Sequence, residues 1–292
     1  MSNSPTVAFI CGSPNPPSRA RFEAECEVLG ATALWLDPRS LHVFAEGPRY
    51  EGAAFPLPDV VIPRSGGLTS DDELELLRAL ELLGAHVVDS PDAVALCRDK
   101  LAIRAALHSS GVMTPTTIPL EALTSENEAE TVAAGLGGFP VVVKPSRGMR
   151  GEGVKLVQSA VELVRVPAAP TPLGKLLAQR YLPSQFDLRV IVVGGEPLGA
   201  VRRHAGPGDF RANLELGGRA ECVPLPDDVA ALAVAASRSV GADVAAVDML
   251  PDVQGWQVIE VNSAPGFAGF EEVTGVNVAA AIVSAALEGV RR

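Results

Sequence analysis

Ala245-Ala246-Val247-Asp248-Met249-Leu250 and, one turn later, Val258-Ile259-Glu260-Val261-Asn262 decide how this chain is read. Both are apolar, strand-like runs, and each carries an acid among β-branched neighbours. A period of two puts Glu260 and Asn262 on one face, with Val261 on the other. A turn around Pro251 to Gly255 would pair the two runs and bring Asp248 beside that face. Two carboxylates and an amide oxygen then form a hard oxygen set suited to Mg²⁺ shared with substrate phosphates. Two solvated acids on the wet face of an antiparallel sheet would show the same pattern.

Upstream, Val141-Val142-Val143-Lys144 is a strong strand, and the loop after it is rich in glycine and charge: Ser146, Arg147, Gly148, Met149, Arg150, Gly151, Glu152, Gly153. A lysine closing an apolar strand can meet phosphate as a point charge. Glycines let backbone N–H groups approach phosphate without a Cβ in the way. Val154 to Val157 follows as a strand, so this is not a Walker loop, which leads into a helix. An exposed lysine on a flexible hairpin is the plainer alternative. Arg202-Arg203 ends another strand, and Phe210-Arg211-Ala212-Asn213 follows a glycine-rich turn. These arginines could hold phosphate or carboxylate bidentately, or could be solvated surface charge. Asp187 and Arg189 could form a local i,i+2 pair on one strand face.

The N-terminal part reads as alternating strands and helices. Val7 to Cys11, Ala33 to Leu36, Val60 to Ile62 and Val87-Val88 are strands. Arg21 to Leu29 is a helix, and a second starts at Ser70, where Ser70 and Glu73 have capping-box spacing. Such alternation predicts a parallel sheet with helices on its faces. Asp92 to His108 reads as one helix. Leu176 to Leu182, Leu188 to Val193 and Leu198 to Arg203 are strand-like, with Gly194-Gly195 marking a hairpin. Asp227 to Val240 and Val278 to Glu288 are helical, and Pro167 to Pro172 reads as a linker. The expected class is α/β, α+β in the C-terminal part, with boundaries at 1–91, 92–172 and 173–292.

Composition narrows the function. A chain of 292 residues suits two or three small domains, and a net charge of −11 without a basic run argues against a nucleic-acid partner. No apolar stretch approaches the ~20 residues of a bilayer span. Cys11, Cys26, Cys97 and Cys222 show no metal-ligand spacing and are expected as buried reduced thiols, so a cytoplasmic protein is expected. No nucleophile motif and no dinucleotide fingerprint occur.

The order of these features resembles the ATP-grasp superfamily, and over almost the full length the RimK-type α-L-glutamate ligases. The likeness is carried by Val60-Val61-Ile62-Pro63-Arg64, Arg98-Asp99-Lys100, Val143-Lys144, Gln179 to Leu182, Asp187-Leu188-Arg189, Gly208 to Asn213 with Gly217-Gly218, Val247-Asp248, and Glu260-Val261-Asn262-Ser263-Ala264-Pro265-Gly266. The resemblance implies an ATP-grasp fold behind a small parallel N-terminal domain. It also implies an ADP-forming carbon–nitrogen ligase working through an acyl-phosphate.

By position, Lys100 and Lys144 would contact ATP phosphates under the loop holding Gly148, Gly151 and Gly153. Gln179, Arg180, Tyr181 and Leu182 would line the adenine pocket, with Asp187 and Arg189 at the nucleoside end. Arg211 and Asn213, with Arg202 and Arg203, would hold phosphate and the reacting carboxylate. Asp248, Glu260 and Asn262 would ligate Mg²⁺, with Mn²⁺ as a substitute. The implied partners are an amino acid and a carboxylate-bearing acceptor (peptide, protein or small molecule), and the family likeness allows a homo-oligomer. The chain departs from the family at Arg180, where a glutamate is usual, and in a short, proline-rich segment from Ala160 to Lys175. Two alternatives stand beside the glutamate ligase: a ligase of a cofactor or natural-product peptide pathway, and an ATP-binding regulatory module without catalysis.

Overall fold

Val7, Ala8, Phe9 and Ile10 are all fully buried. A strand without polar alternation needs cover on both faces, which marks a parallel strand. The computed structural model describes residues 4–13, 16–66, 69–148, 151–167, 173–206, 209–211 and 219–290. It opens with β1 (Thr6–Ile10), α1 (Pro16–Val28), β2 (Thr32–Leu36), β3 (Leu41–Phe44), β4 (Gly47–Tyr50), β5 (Ala53–Ala54), β6 (Val60–Pro63), α2 (Asp71–Leu82) and β7 (His86–Val87). Strands β2-β1-β6-β7 form the expected parallel sheet. Along β1, Val7 and Phe9 join one core and Ala8 and Ile10 another, so each face has its own cover. The antiparallel ribbon β3-β4-β5 has no counterpart in the sequence reading, because its short strands carry little apolar alternation.

The expected Asp92-to-His108 helix is two helices, α3 (Pro91–Cys97) and α4 (Lys100–Ser109). The break is chemical. Asp99 turns extended, and its carboxylate accepts hydrogen bonds from the Leu101 and Ala102 N–H groups, capping α4. Lys100 thereby becomes the first residue of a helix.

The central unit comprises β8 (Thr117–Pro119), α5 (Glu126–Gly135), β9 (Val141–Pro145), β10 (Lys155–Val157), α6 (Ala160–Val164) and β11 (Leu176–Arg180), with antiparallel sheet order β10-β9-β11-β8. Val141 and Val143 pack under α5 and α6. Val142 and Lys144, one residue out of phase, therefore face the opposite side. Strand β11 pairs with β9 from beyond the expected boundary at 172. The expected linker lies mostly outside the described residues.

The C-terminal unit comprises β12 (Phe186–Val193), β13 (Glu196–His204), β14 (Arg219–Val223), α7 (Asp227–Ser239), β15 (Val244–Asp252), β16 (Gly255–Asn262), α8 (Ala268–Thr274) and α9 (Val278–Val290). Its sheet runs β14-β13-β12-β15-β16, antiparallel throughout. Gly194 and Gly195, both at positive φ, make the predicted hairpin between β12 and β13. One sheet face, with Leu188, Val190, Val247 and Met249, is covered by α7 and by Ile103 and Leu107 of α4. The other face, with Ile191, Val193, Val201 and Ala246, is covered by Val278, Ile282 and Val283 of α9, which share one core with Val7 and Phe9 of β1. Thus α4 and α9 each cover a sheet from another stretch of chain. Helical periodicity shows that a helix has an apolar face, but not which sheet receives it.

Candidate active site

The second face of the C-terminal sheet changes character along its length. Where Ile191, Val193, Val201 and Ala246 end, Asp187, Arg189, Arg203 and Asp248 begin on the same side. Asp248 lies opposite both Arg189 and Glu260, and Ala246 lies opposite Asn262. The hairpin pairing expected from sequence is present, with Glu260 and Asn262 on the cavity side. A β-bulge lies beside them: Met249 pairs with Val258 and Asp248 with Glu260, leaving Ile259 unmatched. The freed Ile259 carbonyl accepts a hydrogen bond from Arg104 Nη2 at 3.3 Å, while Arg104 Nη1 donates to the Pro115 carbonyl at 3.1 Å.

The charges are paired across strands, not along them. Arg189 donates to both Asp248 oxygens at 2.7 Å. Arg203 donates to the Asp187 oxygens at 2.7 and 2.6 Å and stands 2.9 Å from Asp248 Oδ2. The expected local pair of Asp187 with Arg189 is absent, because direct cross-strand neighbours are closer. Burial alone would raise the Asp248 carboxyl, but the charges and hydrogen bonds of Arg189 and Arg203 outweigh it and hold Asp248 below the usual carboxylate range. At Asp187 burial outweighs Arg203 and pushes the carboxyl up to about 6. Arg202, one residue from Arg203, turns the other way. It stacks 4.8 Å over Phe186, meets Glu221 at 3.2 Å and does not line the cavity, which removes it from the expected catalytic set.

A cavity of about 1490 Å³ lies between this stripe, the central sheet and the N-terminal sheet. Lys144 reaches it from β9 while 7% exposed. Burial pushes its ammonium well below the usual lysine value; Arg104 and Lys100 add to the shift and Glu260 opposes it. Lys100, first in α4, donates to the Gly148 carbonyl at 2.6 Å and stands 3.6 Å from Glu260. Its own N–H donates to the Ser146 carbonyl at 2.8 Å, fastening α4 to the glycine loop. Arg211 grips the same loop from the far side, donating to the Gly151 carbonyl at 2.9 Å and to Asp209 at 2.8 Å. Gly148, Gly151 and Gly153 all have positive φ. A Cβ on Gly151 would press on Arg211 at 3.3 Å, whereas Gly153 packs on Pro145 and lies off the cavity wall. Met149, Arg150 and Asn213 lie outside the described residues.

Gln179, Arg180, Tyr181 and Leu182 line the cavity at the end of β11. The Gln179 amide donates to Thr117 Oγ1 at 3.0 Å. Arg180, the departure from the family pattern, forks onto Asp252 at 3.1 and 3.3 Å, and Asp252 also accepts from Gln257. It thereby ties the central sheet to the β15–β16 turn. Sequence reasoning placed none of Arg104, Arg64 and Glu73 in the site: Glu73 was read as a capping residue, and Arg64 only as part of the family likeness. The last two lie on the N-terminal wall of the cavity. Arg64 could have been found because an arginine directly after a buried strand ends at the carboxyl edge of the parallel sheet. The four cysteines are free, as expected, but Cys26 alone is buried and Cys222 is exposed.

The donor set can be tested against a divalent cation. No group of three or more His, Cys, Asp or Glu side chains suited to a metal occurs among the described residues. Asp248 spends its oxygens on two arginines, while Glu260 and Asn262 open to the cavity. Such a sparse, hard oxygen set fits a cation whose remaining ligands are phosphate oxygens and water, as Mg²⁺ prefers.

A family model described as the RimK-like ATP-grasp domain matches residues 97–286. A probable alpha-L-glutamate ligase of Legionella pneumophila (strain Corby) is 33% identical over 288 residues, covering 95% of this chain and 93% of the relative. One from Xanthomonas euvesicatoria pv. vesicatoria (strain 85-10) is 36% identical over 270 residues, 90% of each chain. Among solved structures, the ATP-grasp ligase PsnB complexed with a phosphomimetic variant of minimal precursor, Mg and ADP matches with a TM-score of 0.75 at 20% identity, over 99% of both chains. That likeness speaks for the fold, and the sequence relatives speak for the family. With its parallel N-terminal sheet and two antiparallel sheets around one charged cavity, this chain belongs to the RimK-like ATP-grasp family of ligases, which use ATP.

Proposed function

We infer that this ligase adds glutamate, or a closely similar amino acid, to the carboxylate of an acceptor. The observation that carries the reading is convergence. Lys100, Lys144, Arg189, Arg203 and Arg211 meet Asp248, Glu260 and Asn262 around one cavity of about 1490 Å³. That exceeds the ~300–1,000 Å³ typical of a single small ligand and leaves room for a nucleotide and a second substrate.

In this reading the Gln179–Leu182 segment takes the adenine, and Lys100 and Lys144 take the phosphates. An adjacent triphosphate would favour the charged form of the Lys144 ammonium and so oppose the lowering that burial imposes on it. Glu260 and Asn262, with Asp248 through any lone pairs its arginines leave, would hold Mg²⁺, which would supply charge neutralisation at the phosphates. Arg203 and Arg211 hold the acceptor carboxylate against the γ-phosphate despite their mutual repulsion. The carboxylate oxygen takes the γ-phosphoryl group and ADP leaves. The free amine of the amino acid then attacks the acyl carbon, the C–N bond forms, the C–O bond to phosphate breaks, and the amine proton goes to solvent. Arg211, gripping the glycine loop, keeps that loop over the site and limits hydrolysis of the acyl-phosphate.

Phosphate release with Mg-ATP, glutamate and pooled carboxylate acceptors tests the reading, with Glu260→Gln as the control. Glutamate-dependent release from the wild type is expected, lost by at least about 100-fold in the variant as for removal of a charge-stabilising group, with a product heavier by one glutamyl residue. Glutamate-independent release, or equal release from both proteins, would defeat it.

A further inference from the structure

The N-terminal wall of the cavity carries two charged side chains that the reaction just described does not use. Arg64 follows β6 at the carboxyl edge of the parallel sheet. Its guanidinium lies 5.3 Å from the Phe22 ring centre and 5.8 Å from that of Phe267, which fix its plane. Nη2 donates to the Pro265 carbonyl at 2.7 Å, just beyond the Glu260–Asn262 strand. A guanidinium has five N–H donors, yet Arg64 forms no ion pair among the described residues. Burial lowers its pKa to about 10, so its charge is held at a cost.

Glu73 is the second group. Its spacing from Ser70 predicts a reciprocal capping box, but only half of one forms. Ser70 Oγ accepts from the Glu73 N–H at 3.0 Å, while the Glu73 carboxylate makes no return bond to the Ser70 N–H. Its Oε1 is buried without a partner, and the residue is 5% exposed on the cavity wall. Ser65, next to Arg64, lines the cavity with Glu73, so both charges belong to one wall. Burial raises the Glu73 carboxyl above its usual value. A half-buried guanidinium with donors to spare and a buried carboxylate oxygen without a partner, both on one cavity wall, are costly unless a ligand answers them.

We propose that Arg64 and Glu73 form the receptor for the free amino acid, with Arg64 taking a carboxylate and Glu73 the ammonium. Arg64 serves this better than a lysine, because its planar fork matches a carboxylate and its face is already stacked. The arrangement also separates the substrates. The nucleotide lies between the central and C-terminal sheets, and the amino acid enters from the N-terminal wall, beside the Ser263–Gly266 loop that Arg64 touches. The proposal rests on the ligase reading for its biological sense, but binding tests it without turnover.

The experiment is calorimetric titration of the full chain, loaded with Mg²⁺ and a non-hydrolysable ATP analogue, using four probes: L-glutamate, N-acetyl-L-glutamate, L-glutamine and L-isoglutamine. On the wild type, acetylation and amidation of the docked carboxylate should each weaken binding about tenfold or more, the worth of one charge-assisted hydrogen bond. On Glu73→Gln the acetylation penalty should shrink to about twofold or less, with the amidation penalty intact. On Arg64→Met the amidation penalty should vanish instead, and Arg64→Lys should restore part of it while nucleotide affinity stays unchanged. Equal penalties in all proteins, or loss of nucleotide and amino-acid binding together in Arg64→Lys, would make these residues struts and overturn the proposal. So would failure of the wild type to bind any of the twenty standard amino acids. Glutamate binding that follows the predicted pattern without ADP formation would defeat the ligase reading and leave this one standing.

Discussion

Arg203 serves two carboxylates at once. Asp187 and Asp248 approach the same guanidinium, and Arg189 supplies the second positive charge. All of Arg203, Asp187 and Asp248 are buried. Removing Arg203 would leave two desolvated carboxylates sharing one arginine, a loss of about 3–5 kcal/mol. Arg203→Met should therefore lower unfolding stability by that order in urea titration. Adding Asp187→Leu should recover most of it, since a buried pair replaced as a pair is close to neutral; no recovery would show that Asp187 is held by something other than Arg203. These partners could not be read from sequence. The i,i+2 spacing of Asp187 and Arg189 suggested a local pair, but the register of three strands sets the true partners. Glu260 and Asn262 were legible because strand periodicity reaches across the one residue between them, and the bulge falls before Glu260, not after it.

At the scale of elements, one side chain divides what reads as a single helix. The run from Asp92 to His108 has continuous helical apolar spacing, and its interruption at Asp99 is a matter of capping. The break aims α4 so that Lys100 meets the Gly148 carbonyl and Glu260, while Ile103 and Leu107 cover the C-terminal sheet. Asp99→Ala should cost about 1 kcal/mol of stability, the usual worth of an N-cap. It should also weaken nucleotide binding, because Lys100 loses its fixed start of helix. Urea titration and nucleotide titration of the same variant check the two effects; a stability loss with unchanged nucleotide affinity would show that Lys100 is positioned by the Ser146 carbonyl alone. The strands were legible wherever one face is continuously apolar, as in β9 and β15. The ribbon β3-β4-β5 and helix α5 were not, since the first carries little apolar alternation and the second buries chiefly small residues, Ala129 and Ala133.

Across the whole molecule, the N-terminal and C-terminal sheets are held together by a shared apolar core and one buried acid. Helix α9 fills the space between β1 and the C-terminal sheet. Beside it, Asp89, after β7, accepts hydrogen bonds on Oδ1 from the Asp243 and Val244 N–H groups at the start of β15, at 2.7 and 2.8 Å. Its Oδ2 is buried without a partner. Burial outweighs the two N–H donors and Arg64 and raises the carboxyl to about 8. Unfolded, the same group titrates near ~3.9. Between those values the folded chain keeps a proton that the unfolded chain has lost, so unfolding releases it. The contribution is fully present below the unfolded value and is lost as pH rises through the folded one, at about 1.4 kcal/mol per pH unit at most. Asp89→Asn keeps an oxygen for the two N–H groups and has no charge to gain. Its stability should match the wild type near pH ~4 and exceed it increasingly up to pH ~8, as read from urea midpoints across that range. Parallel pH profiles for the two proteins would mean that water reaches Oδ2 and that the junction between the sheets is wetter than its burial indicates.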